Sequence, residues 1–116
     1  MKKEFGVFRR KDAKLGFEGG ATIGNALHRV IDDAKSDQMG GGYFSFNGVE
    51  TPVVMPYDEL AVCLEGTLKL TVGGVLHKLG PGDFAWMPKG TEVTFSGDDA
   101  VSFYAVYPVD WRTRTI

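Results

Sequence analysis

Residues 57–90 read YDELAVCLEGTLKLTVGGVLHKLGPGDFAWMPKG, and the alternation of apolar with polar side chains along them decides the fold. The period is two. It breaks at Gly73-Gly74 and at Gly80-Pro81-Gly82-Asp83, and the run stops at Pro88-Lys89-Gly90. Such a pattern spells consecutive antiparallel strands joined by tight turns, so the expected fold class is all-β, a half-buried barrel or sandwich.

The flanks extend this reading. Tyr43-Phe44-Ser45-Phe46 is an aromatic strand entered through Gly40-Gly41-Gly42 and left through the tight-turn pair Asn47-Gly48. The glycine triplet lacks a phosphate-loop pattern and a following helix, which points to close strand packing or a bulge. Residues 23–35 place Ile23, Leu27, Val30 and Ile31 at helical spacing but also read as a strand. In an all-β context the strand is expected, with Ser36-Asp37-Gln38 as its turn. After Gly90, Thr91 to Phe95 is expected as a short strand, Ser96 to Asp99 as a turn, and Ala100 to Tyr107 as a long apolar strand. Residues 1–22 mix charges with isolated aromatics (Phe5, Phe8, Phe17) and end near Gly19-Gly20. They read as an arm with one short strand, its basic run Arg9-Arg10-Lys11 a solvated face, and residues 23–116 as the barrel domain. Trp111, just past the last strand, is expected to cover a barrel end or a neighbouring subunit.

Composition narrows the partners. With 13 basic and 15 acidic residues in 116, a net charge of −2 leaves no electrostatic footprint for nucleic acid or an anionic membrane. No stretch approaches the length of a membrane span and the start lacks the apolar segment of a signal peptide, so a cytoplasmic location is expected. The single cysteine, Cys63, excludes an internal disulfide and fits a reducing compartment. Lying in an apolar run, it reads as an inert core thiol.

The triplets Leu64-Glu65-Gly66, Pro81-Gly82-Asp83 and Pro88-Lys89-Gly90 are spaced as in a cupin, the single-domain jelly-roll barrel family with a pocket in its mouth. Metal-binding cupins hold a divalent ion with three histidines and one glutamate in two short motifs. Gly66 matches the closing glycine of the first motif, which sets the ligand glutamate at Glu59. The histidine positions then fall on Val53 and Met55, or on Pro52 and Val54, and that of the second motif on Val93. Valine and a thioether are poor substitutes for imidazole on such an ion. His28 and His77 lie outside both motifs, so no metal or other cofactor is expected. A site drawn from Glu59, His28 and His77 is the unorthodox alternative.

What remains is a pocket for a small organic molecule. Val53, Met55, Tyr57 and Glu59 share parity, so in an extended chain they project to one side. Facing inward, Glu59 is a carboxyl in an apolar barrel, its pKa driven up by desolvation, and Tyr57 can donate a hydrogen bond to it. This pair suits proton transfer or the orientation of a polar ligand. Glu59 and Tyr57 are therefore the candidate catalytic residues, and Met55, Val93, Phe95 and Tyr104 the candidate ligand-binding ones. Phe103 is a further candidate for the cavity wall, with core packing as its plainer role. Asp83 is expected to fix its turn, and Lys89 and Glu65 to face solvent.

Tyr57-Asp58-Glu59, the three triplets and the ending Phe103 to Trp111 (FYAVYPVDW) together resemble the EutQ-like, ethanolamine-utilisation cupins of the RmlC-like superfamily. Residues 29–46, RVIDDAKSDQMGGGYFSF, are similar to the same family. The resemblance implies a jelly-roll homodimer without the usual metal centre, connected with ethanolamine breakdown, in a family to which acetate kinase activity has been ascribed. Phosphoryl transfer calls for charge-stabilising cations, which these residues do not assemble. The alternative to a small-molecule protein is a scaffold that works through its surface without catalysis.

Overall fold

The computed structural model describes residues 4–15 and 25–113; Phe17, Gly19-Gly20 and Ile23 lie outside the described residues. Seven strands follow one another in antiparallel pairing: β1 (Ala26–Ile31), β2 (Gly40–Phe46), β3 (Thr51–Val54), β4 (Asp58–Val72), β5 (Val75–Leu79), β6 (Phe84–Met87) and β7 (Glu92–Tyr107). The ambiguous segment before Ser36 is thus a strand at β1, paired with β2 through His28 opposite Tyr43. Antiparallel pairing lets short turns join neighbours, and Gly73 and Gly74, both at positive φ, make the β4–β5 turn.

Two long strands organise the molecule. The first half of β4 pairs with β6 (Glu59 opposite Met87) and with the end of β7 (Glu59 opposite Val106). Its second half pairs with β5 and with the start of β7 (Leu70 opposite Phe95). β7 in turn carries β3 on its first half and β2 on its second. Two half-sheets result, β1-β2-β7-β4-β6 and β3-β7-β4-β5, cut from the same two strands.

The bend between the halves corrects one expectation. Ser96 to Asp99 does not end a strand: β7 runs unbroken through it, and the change of direction is made by Asp99 at φ 47° against Gly66 of β4 at φ 70°. Register shifts between Cys63 and Thr67 mark the same place. A β-carbon on Gly66 would overlap the Asp99 carbonyl oxygen, so the glycine of the LEG triplet is required for close approach as well as for φ. The core between the half-sheets holds Phe44, Met55, Ala61, Leu68, Leu70, Val93 and Phe95, all buried.

Within the described part of the arm, a 3₁₀ turn at Arg10–Asp12 stands in place of the expected strand. The basic run is not simply solvated either. Arg10 forks onto Glu65, Nε to Oε2 at 2.6 Å and Nη2 to Oε1 at 3.0 Å, so Glu65 anchors the arm. Ser45 Oγ donates to the Leu15 carbonyl at 2.7 Å and Leu15 is buried. Asp83 fixes its turn as expected, accepting from Gly80 N, and Lys89 is exposed. Phe103 lines neither the barrel cavity nor the core: alternation along β7 turns it outward, where it meets Tyr43 edge-on beside a surface depression.

Candidate functional site

Inward-facing residues of both half-sheets leave a cavity of about 340 Å³ at one end of the barrel. Met55, Tyr57 and Glu59, read from one parity, all line it with Val53; Phe95 and Tyr104 join them from β7. Val93 does not. It is buried in the core and borders a separate surface depression beside Val54 and Glu92. The sequence reading missed Phe44 and Phe46, which complete the aromatic wall: Phe44 meets Phe95 edge to face at 5.8 Å, and Phe46 stacks on Phe95 at 5.6 Å. Their two-residue spacing within Tyr43-Phe44-Ser45-Phe46 was the available signal.

Glu59 is only 5% exposed, between the cross-strand neighbours Met87 and Val106. Neither offers a donor. Among the described residues no hydrogen bond or ion pair reaches its carboxyl, and desolvation pushes its pKa up to about 7. The expected bond from Tyr57 is not made; the Tyr57 ring is instead set edge-on to Trp111, centroids 5.7 Å apart, and Trp111 borders the depression beside the cavity. The Tyr57 phenol is raised by burial and by Glu59, and burial pushes Tyr104 up to about 12. Both phenols therefore remain hydrogen-bond donors across the physiological range. A second depression, about 250 Å³, shares Leu27, Tyr57 and Tyr104 with the first and carries Arg29, Arg112, Asp32 and Asp33.

The donor set does not fit the divalent metal that this kind of barrel commonly holds. Among the described lining residues one carboxylate stands with a thioether, phenols, hydrocarbon and the neutral groups of Asn25, Ser45 and Thr51, and the positions that would supply imidazole are Val53, Met55 and Val93. His28 lies on β1 and His77 on β5, and neither lines the cavity that holds Glu59. Among the described residues no three His, Cys, Asp or Glu side chains cluster as a metal site would require.

Two antiparallel half-sheets cut from shared strands, with a cavity opening at one end, define a cupin, a double-stranded β-helix. Within that class the chain belongs to the family of ethanolamine utilisation protein EutQ, whose family model matches residues 17–113. The chain is similar to the acetate kinase EutQ of Escherichia coli (strain K12), 30% identical over 109 residues that cover 92% of this chain and 47% of that protein. It spans about half the length of the curated relatives it matches. Among solved structures, the Clostridium difficile EutQ protein superposes with a TM-score of 0.67 at 26% identity, covering 76% of this chain and 65% of that one. A putative ethanolamine utilization protein from Salmonella typhimurium LT2 shares the fold at a TM-score of 0.77 and 24% identity, covering 90% and 86%.

Proposed function

We propose that this cupin binds a small organic molecule in the cavity beside Glu59 without a metal, in the setting of ethanolamine utilisation and in the cytoplasm. The observation that carries this is a buried carboxyl, unpartnered among the described residues, lining a cavity of ligand size. A carboxyl titrating about pH 7 exchanges protons readily in either direction, so Glu59 is the proposed acid or base and the Tyr57 hydroxyl the group that orients the ligand. The phosphoryl transfer named for the relatives is not carried over, because Glu59 is the one charged side chain among the described residues lining the cavity. Family membership supports the pathway setting. The test is a small-molecule screen by thermal shift, repeated on Glu59→Gln: ligands that stabilise the wild type more than the variant are expected, and a screen whose hits all ignore the substitution overturns the reading.

A second reading, of a homodimer working through its surface, is favoured by the outer face of the larger half-sheet. Leu60, Phe84, Trp86, Phe103 and Tyr107 are all exposed there, Phe84 at 68% and Trp86 at 57%. At the usual size of aromatic side chains, the four rings leave on the order of 450 Å² uncovered, against about 800 Å² per partner in a standard interface. A two-fold contact sets one such face on its own copy, so each Trp86 finds an apolar cover.

A further inference from the structure

We infer that the cavity takes an organic ammonium ion, whose nitrogen pairs with the Glu59 carboxylate among the surrounding aromatic rings. This rests on the cavity reading above and adds the sign of the ligand's charge. The first ground is the charge inventory. Around Glu59 the packed elements present Met87 from β6, Val106, Phe95 and Tyr104 from β7, Phe44 from β2 and Val53 from β3; Tyr57 precedes it on its own side. Tyr57 and Tyr104 are the titratable groups among them, and both stay neutral near pH 7. In the adjoining depression Arg29 and Arg112 are balanced in number by Asp32 and Asp33. Among the described residues the inner chamber therefore holds one ionisable acid and no fixed cation.

The second ground is the state of that carboxyl. A buried acid without donors is held partly protonated, at a cost that any partner able to restore the ionised form would remove. A neutral ligand can donate a hydrogen bond but brings no compensating charge, and an anion is repelled once the acid ionises. An ammonium group supplies charge and donors together, and aromatic walls add attraction for a desolvated cation. Below pH 7 such binding must expel the proton held on Glu59; at pH 8 it need not.

Three probes of one ring size and different charge, benzylamine, benzyl alcohol and benzoate, separate the possibilities by calorimetric titration of the whole chain at pH 8. Benzylamine is expected to bind at least about tenfold more tightly than the alcohol, the worth of a charge-assisted contact, with benzoate the weakest. Glu59→Gln is expected to erase the preference by weakening benzylamine at least about tenfold. On the wild type alone, benzylamine binding at pH 6 in two buffers of different ionisation enthalpy is expected to show proton release that is lost at pH 8. Alcohol or benzoate binding as tightly as the amine, a preference that survives Glu59→Gln, or proton uptake at pH 6 would each overturn the ammonium assignment while leaving the cavity reading in place. Failure of all three probes to bind overturns both.

Discussion

Glu59 stands directly opposite Met87 on the β4–β6 ladder, so the carboxyl's cross-strand partner is a thioether with no proton to give. Its folded pKa of about 7 lies above the unfolded value of 4.5. The sign follows: the folded state holds the proton more tightly, so the cost is absent below pH 4.5, grows between pH 4.5 and about 7, and levels off above that. At full ionisation it amounts to roughly 3 kcal/mol. Urea denaturation at pH 5 and pH 8 is expected to show the wild type losing stability with pH and Glu59→Gln losing much less. Parallel pH profiles for the two proteins would contradict this.

The bend at Gly66 and Asp99 makes a second expectation. Gly66→Ala meets both the left-handed backbone and the Asp99 carbonyl. A loss of at least about 2 kcal/mol is expected, read as a lower urea midpoint. Gly74→Ala, at a positive φ with open space around it, is the control and is expected to cost less.

Ser102 is fully buried and its Oγ has no hydrogen-bond partner among the described residues. An orphaned hydroxyl is paid for in desolvation without return. Ser102→Ala is therefore expected to be neutral or stabilising by about 1 kcal/mol, measured by the same denaturation; a loss above that size would reveal a partner for the hydroxyl.

The Arg10–Glu65 fork is part exposed, its side chains at 34% and 45%, and solvent screening discounts it accordingly. A double-mutant cycle with Arg10→Ala and Glu65→Ala is expected to give a coupling of no more than about 1 kcal/mol. Limited proteolysis of Arg10→Ala is expected to cut within residues 4–15 faster than in the wild type, since the pair fastens that segment.

Trp86→Glu tests the surface reading. Wild type is expected to sediment as a dimer and the variant as a monomer of similar melting temperature. A wild-type monomer at concentrations of about 100 μM, far above the Kd of a standard interface, would dismiss it.

How much of this was legible before the coordinates depended on range. Parity along 53–59 put Val53, Met55, Tyr57 and Glu59 on one wall because strand alternation is local, needing no partner. Val93 has inward parity too, yet whether an inward residue meets space or other side chains depends on its cross-strand register, here opposite Val53. Register with a distant strand also decided the Ser96 to Asp99 segment, whose polar composition reads as a turn but which pairs with Lys69, Leu68 and Thr67. Arg10 and Glu65 lie 55 residues apart, and no local pattern joins them. Phe44 and Phe46 were recognisable as a strand, while their place in the cavity wall waited on β2 pairing with β7.

The sharing of β4 and β7 between both half-sheets has a kinetic corollary. Neither layer can peel away while the other keeps its ladder, so amide protons in these two strands are expected to exchange with solvent only through whole-molecule opening, at one common free energy. β5 and β6, each secured along one edge by β4, are free to fray ahead of that event and would exchange first.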